Sequence, residues 1–118
     1  MIEATELLKY SLEDELKRIT NIIIEKCNPE RIILFGSMAN GTAKEWSDID
    51  LVVIMNTDLR FIDRLLYLAQ ITSPEVPVDF LAYTPEEEKN FIESGHLFYT
   101  EEVLKKGVVL YDKRASRV

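Results

Sequence analysis

Asp48 and Asp50 stand one residue apart at the head of an apolar run, in the stretch LFGSMANGTAKEWSDIDLVVI, residues 34–54. Residues i and i+2 of a strand point to one face, with α-carbons about 6–7 Å apart, so the two carboxylates share a side. Adjacent carboxylates repel. Where water is partly excluded that repulsion is severe unless a cation lies between them. Oxygen ligands at this spacing suit a hard divalent ion, Mg²⁺ above all. That ion takes one or two protein carboxylates and fills its shell with water and substrate phosphate. The chemistry these residues point to is phosphate chemistry.

A third acid strengthens the case. Asp79 is alone in the apolar segment VPVDFLAY, and a strand there, parallel to the one opened by Asp50, brings its carboxyl beside the pair. Three acids on neighbouring strands can hold two metal ions, one on a triphosphate and one on an attacking hydroxyl. Gly36-Ser37, ten residues before Asp48, supplies the other half of such a site. Glycine at a strand end lets backbone approach a phosphate. The turn after it offers free N–H groups and a helix-start dipole, and the Ser37 hydroxyl can bond a phosphate oxygen. No Gly-Lys-Ser/Thr follows, so this is not a P-loop.

The elements that must position these residues read as α-β-(short α)-β-α-β-α-α-β. Residues 3–27 form a helix with Leu8, Leu12, Leu16, Ile19, Ile23 and Cys27 on one stripe. Ser11, with Asp14 three later, is an alternative start for a separate helix, and Asn28-Pro29 ends the segment. Arg31–Phe35 is a strand, Ser37–Asn40 a helical turn, and 41–47 a loop. Ile49–Met55 is a strand apolar on both faces, hence central and covered. Asp58 is the expected N-cap of a helix over 59–71 with Ile62, Leu65, Leu66 and Ala69 inward. Pro77–Tyr83 is a third strand. Thr84-Pro85-Glu86-Glu87 opens the next helix, with a threonine cap, proline first and glutamate third. A last helix over Glu101–Lys106 closes at Gly107, and Val108–Asp112 is a fourth strand. The helix between the second and third strands makes them parallel. The short 41–47 loop makes the first two an antiparallel or sharply turned pair. The expected fold is α/β (α+β): one small mixed sheet of about four strands with helices packed on it, one domain over 1–112 and a loose tail over 113–118.

Composition narrows the function. The 118 residues are 47% apolar and 30% charged, as in a globular domain with a real core. No apolar run reaches the about 18 residues of a membrane span. The N-terminus lacks a signal-peptide layout, and the single cysteine, Cys27, forms no internal disulfide, so a cytoplasmic location is expected. A net charge of −7 opposes non-specific binding to nucleic-acid backbones, while leaving room for a nucleotide held through metal ions. Cys27 is read as core, His96 as surface or packing, and the run Glu86–Lys89 as a solvated helix start that suits the dipole. Lys44 is read as an exposed, solvated lysine, and Tyr67, Tyr83, Tyr99 and Tyr111 as packing residues. Trp46 is open to two readings, a base-stacking or partner-binding residue and a loop residue packed on the domain edge.

GSMANGTAKEWSDID carries Gly-Ser, ten residues, then Asp-x-Asp. That pattern resembles the signature of the nucleotidyltransferase superfamily that includes DNA polymerase beta. At this length the chain resembles a minimal nucleotidyltransferase (MNT) domain, from the leading helix to the closing GVVLYD. The resemblance implies that Gly36 and Ser37 contact the nucleotide phosphates and that Asp48 and Asp50 bind Mg²⁺. Asp79 would complete the metal site and help activate the acceptor hydroxyl. ATP would be the substrate and Mg²⁺, as two ions, the cofactor.

The resemblance also implies a partner. Small members of this kind are often the antitoxin of a type VII-like pair with a HEPN-domain ribonuclease toxin, and some transfer AMP onto a toxin tyrosine. Almost nothing of the chain is left over to hold an acceptor, so a partner would present the hydroxyl. One departure bears on activity. The pattern Gly-Ser-x-Ala-Arg-Gly has arginine where this chain has Asn40, which removes a positive charge near the phosphates. That supports an alternative reading as a non-catalytic antitoxin acting by complex formation. Transfer to a small molecule such as an aminoglycoside, with a homodimer holding the substrate, is a third reading.

Overall fold

The computed structural model describes residues 4–43 and 48–115, with side-chain surroundings from Leu12 onward outside that gap. The expectations for Lys44 and Trp46 and for the side chains of Leu8 and Ser11 lie outside the described residues. The elements are α1 (Ala4–Cys27), β1 (Arg31–Phe35), α2 (Ser37–Asn40), β2 (Ile49–Ile54), α3 (Phe61–Thr72), β3 (Val78–Tyr83), α4 (Pro85–Ser94), a π-helix α5 (Phe98–Lys105) and β4 (Val108–Asp112). α1 is one unbroken helix, with no second start at Ser11.

The four strands form one mixed sheet in the order β3-β2-β1-β4. β1 runs antiparallel to β2 and to β4, and β2 runs parallel to β3. The central strand β2 is buried on both faces beyond Asp50, as its continuous apolar run requires. One face packs Ile32, Leu34, Leu51 and Val53 against Leu12, Ile19 and Ile23 of α1 and Leu68 of α3. The other packs Ile33, Val52 and Ile54 against Tyr99 and Val103 of α5.

Two helix ends show how local chemistry sets the frame. Thr84 caps α4: its hydroxyl accepts from Glu87 N–H at 3.2 Å while the Glu87 carboxylate accepts from Thr84 N–H at 2.8 Å, a reciprocal box with Pro85 in the first turn. At the end of α5, a side chain on Gly107 would stand 2.1 Å from the Val103 carbonyl oxygen and 2.9 Å from Ile33 Cγ2. Only glycine lets α5 close this tightly on β1.

Some expectations need correction. Asp58 does not cap α3. The helix begins at Phe61 with Arg60 at the cap position, and Thr57 makes the local bond instead, its hydroxyl accepting from Leu59 N–H at 3.1 Å. The inward face of α3 is also rotated. Leu68, Thr72 and Arg64 are buried and Leu65 is half-buried, while Ile62, Leu66 and Ala69 face solvent. Arg64 fixes this phase by donating to the carbonyls of Leu59 (2.9 Å) and Ala82 (3.1 Å) and to Glu87 (2.6 Å). The last helix starts earlier than Glu101 and is wound more widely, with Lys106 N–H donating to Glu101 O at 3.2 Å.

The run Glu86–Lys89 is not wholly a solvated helix start. Glu88 is buried, accepting from the Tyr99 hydroxyl on one oxygen and from the Arg31 guanidinium on the other. Burial, then the bond to Glu88, pushes the Tyr99 hydroxyl well above the ordinary tyrosine range. On the opposite face Glu15 is buried too, bonded to Arg18 (2.6 Å) and accepting from Glu75 N–H (2.6 Å), which ties α1 to the loop before β3.

Breaking a buried ion pair from one side leaves the other charge stranded. Glu88→Ala is therefore expected to destabilise the protein by about 3 kcal/mol in urea unfolding, against less than about 0.5 kcal/mol for the exposed Glu86→Ala. Equal, small effects would show that the Arg31–Glu88–Tyr99 chain contributes nothing.

Candidate active site

β1 ends at Phe35, and the antiparallel partner of Phe35 on β2 is Asp50. Across β2, the in-register parallel partner of Asp50 is Asp79 of β3. Phe35, Asp50 and Asp79 thus form a row over three adjacent strands, each about 4.8 Å from the next. Asp50 alternates with Val52 and Ile54, and Asp79 with Leu81 and Tyr83, so the row lies on the face covered further along by α4 and α5. The parallel β2–β3 pairing is what brings together two acids distant in sequence.

Gly36 follows Phe35 and turns the chain away from the sheet. Its φ of 75° lies in the left-handed region, and a Cβ there would stand 2.3 Å from Asp50 Oδ2. The missing side chain is the space the Asp50 carboxylate occupies. The Gly36 carbonyl accepts from the N–H groups of Ala39 (3.1 Å) and Asn40 (3.2 Å). Ser37 opens α2 and is half-buried beside the acids' end of the sheet. The first N–H groups of such a turn have no partner inside it. Asn40 folds onto its own turn, its side-chain oxygen accepting from the N–H (3.0 Å) and hydroxyl (2.5 Å) of Thr42.

The acids are not equivalent. Asp50 is half-buried, and Asp48 and Asp79 are exposed. Burial pushes the Asp50 carboxyl up to about 6, reinforced by its hydrogen bond to Asp79, by the charge of Asp79 and by the charge of Asp48. Asp50 therefore keeps its proton beside Asp79 below about pH 6, with Asp48 standing off but within electrostatic reach. Among the described residues no three acidic, histidine or cysteine side chains stand close enough to enclose a metal ion. A hard cation that takes one or two protein carboxylates still fits an all-oxygen pair whose mutual repulsion it would relieve.

Sequence reasoning missed Phe35 and Phe98. Phe35 extends the row on the β1 side, and the Phe98 ring of α5 meets it edge-on at 5.8 Å. The register Phe35↔Asp50 follows once β1 and β2 are paired through the short loop. The approach of Phe98 has no signal in the sequence.

The raised pKa has a signed consequence for stability. An acid whose folded pKa exceeds its unfolded one keeps its proton more tightly in the fold. That stabilisation is full below the unfolded value of 3.8 and is lost as pH rises through about 6. In EDTA, Asp50→Asn is expected to melt higher than the wild type at pH 8 and level with it near pH 4 by calorimetry. Excess Mg²⁺ at pH 8 is expected to raise the wild type alone. A wild type that melts above Asp50→Asn at pH 8 in EDTA would contradict the stated environment of Asp50.

Known proteins match this sequence and this fold. A curated relative from Methanocaldococcus jannaschii, inferred to be a protein adenylyltransferase, is 44% identical over 66 residues, a match spanning 50% of this chain and 45% of the relative. The match thus takes in a little under half the length of that relative. A crystal structure from Sulfolobus solfataricus, inferred to be a nucleotidyltransferase, agrees with a TM-score of 0.67 at 17% identity, over 97% of this chain and 92% of that one. The toxin–antitoxin MntA–HpeT, solved as a mutant, agrees at 0.58 with 24% identity over 85% and 74% of the two chains. A toxin–antitoxin crystallised with AMP-PNP agrees at 0.54 with 22% identity over 84% and 74%. These structures share the fold. Residues 17–116 match the family described as Polymerase beta, Nucleotidyltransferase, and with this fold and this row of acids the chain belongs to that family.

Proposed function

We propose that this protein transfers AMP from ATP to a tyrosine hydroxyl of a partner protein, with Mg²⁺ as cofactor, and that the partner is a HEPN-type toxin which the transfer silences. The observation that carries this reading is the in-register pairing of Asp50 with Asp79 beside the side-chain-free Gly36. Family membership supports the reaction class, the archaeal relative supports a protein acceptor, and the toxin–antitoxin structures of like fold support the kind of partner.

In this reading Asp50 and Asp79 would hold the metal, with Asp48 adding its charge from beside them, and a cation there would supply Lewis acidity to the acceptor hydroxyl and charge neutralisation to the triphosphate. Gly36 admits the phosphates against the backbone, and the Ser37 hydroxyl donates to a phosphate oxygen. The tyrosine oxygen attacks the α-phosphorus in line. Its new O–P bond forms as the α–β bridging P–O bond breaks, and pyrophosphate leaves. Asp79, exposed at the sheet edge, takes the hydroxyl proton and passes it to solvent. Positioning contributes most to transfers of this kind, and the partner supplies part of it.

The position of Asn40 favours a second reading. Its side-chain oxygen is committed to Thr42, and it puts no cation near the phosphates, as a protein that neutralises its partner by covering it would tolerate. Incubation with α-labelled ATP, Mg²⁺ and the product of the adjacent gene separates the two. Label is expected on a partner tyrosine, with Asp48→Asn and Asp50→Asn each lowering the rate by about 100-fold, the order of losing one transition-state contact. No transfer by the wild type, or equal transfer by Asp48→Asn, would contradict catalysis. Neutralisation in cells that survives joint replacement of Asp48, Asp50 and Asp79 by asparagine would establish the covering role.

A further inference from the structure

β4 is an end strand of the sheet, and among the described residues it pairs only with β1. A strand in that place turns alternate N–H and C=O groups outward, a template for one more strand. Folded proteins guard such edges with charge or proline. The opposite edge is guarded, since β3 carries the exposed Asp79 and follows Pro77. Val108-Val109-Leu110-Tyr111 has neither a charge nor a proline.

The side chains define the shape that would cover this edge. Directly opposed residues of an antiparallel pair share a face. Val108 stands opposite Leu34, on the α1 side of the sheet, and Val109 opposite Ile33, on the α5 side. Both valines are open, at 43% and 53% exposed. A segment laid on either helical layer would cover one and leave the other. A strand added in the plane of the sheet covers both. On the α1 side the edge continues into a groove of about 290 Å³, with Leu16 and Leu110 in its lining and the exposed Glu13, Lys17 and Asn21 around them. A bulge at Leu110 turns Leu110 and Tyr111 both toward α1.

Charge selects the occupant. The chain carries −7, so two copies repel each other over most approaches. This edge holds none of that excess. The strand is neutral over 108–111, the groove has one acid and one base, and the charges at the two ends of β4 cancel in the pairs Lys106–Glu102 and Arg114–Asp112. A neutral apolar strand is complementary to itself. Turned about a two-fold axis normal to the sheet, a second β4 runs antiparallel to the first with its α1 layer on the same side. Each copy then brings the apolar α1-side residues of its β4 to the other's groove.

We propose that β4 is a self-association edge, at which a second copy of this chain adds its own β4 antiparallel to the first and makes one continuous sheet through both. Asp50 and Asp79 lie on β2 and β3, beyond β1 from this edge, so the inference does not rest on the transfer reading. Sedimentation equilibrium of the full chain is expected to show a dimer at about 100 μM, the range of a modest interface. Val109→Lys and Val108→Lys each place a guarding charge at an open position. Each is expected to raise the dimer dissociation constant by about 100-fold, tenfold from each copy, while a dilute sample melts as the wild type does. Leu66→Lys, on the exposed side of α3, is expected to leave the dimer intact. Hydrogen exchange on the wild type is expected to slow by about tenfold at the outward amides of residues 108–111 when the dimer forms.

A wild type that stays monomeric at about 1 mM overturns the proposal. So does a dimer that both valine variants leave unchanged, or one that Leu66→Lys dissociates. A dimer that leaves the β4 amides exchanging as fast as in the monomer overturns it too, and that measurement needs no variant to fold.

Discussion

Two carboxylates fixed in register on neighbouring strands cannot both ionise without mutual repulsion, and that constraint organises this molecule. Asp50 holds a proton to about pH 6 because it is half-buried and faces Asp79. A sheet of this size has few ways to keep such a pair together, since the repulsion pushes β2 and β3 apart at their leading ends. The register survives because β2 is buried on both faces past Asp50, where slipping by one residue would turn its apolar set to the wrong side. The hydrophobic effect on Leu51–Ile54 thus holds a local electrostatic conflict in place, and a bound cation would convert the conflict into affinity.

Polar side chains brace the same frame from the two helical layers. Arg64 ties α3 to β3 and α4, Glu15 and Arg18 tie α1 to the loop that delivers β3, and Glu88 joins α4, α5 and the start of β1. Arg64, Glu15 and Glu88 are buried with their partners made, the condition under which buried charge is tolerated. The Arg64 and Glu88 ties lie at the end of the sheet away from the acids. The acids' end of the sheet has Gly36 and Phe35 at its margin.

The sheet and the pairing of Asp50 with Asp79 were legible because their signals are local. Short apolar runs bounded by glycine and proline marked the strands, Asp48 and Asp50 marked one face, and a lone acid in VPVDFLAY marked a place where burial alone made no sense. The connection lengths then set parallel and antiparallel pairings. What was not legible depends on distant partners. α3 carries two apolar stripes, and the arginine that decides between them finds its acceptors on β3 and α4. Glu88 looks like its neighbours in a charged run, and Arg31, 57 residues away, is what brings it inside. The early start of α5 and the meeting of Phe98 with Phe35 likewise follow from packing, which no periodicity encodes.

The central claim is that Asp50, paired with Asp79, holds a proton that a divalent cation with a nucleotide would displace. Calorimetry with Mg²⁺ and a non-hydrolysable ATP analogue near pH 5.5, repeated in buffers of different ionisation enthalpy, measures that exchange. This account predicts release of a substantial fraction of one proton per nucleotide bound, shrinking toward zero by about pH 8, where Asp50 is already ionised. Binding with no proton release near pH 5.5, or release that persists unchanged in Asp50→Asn, would contradict it.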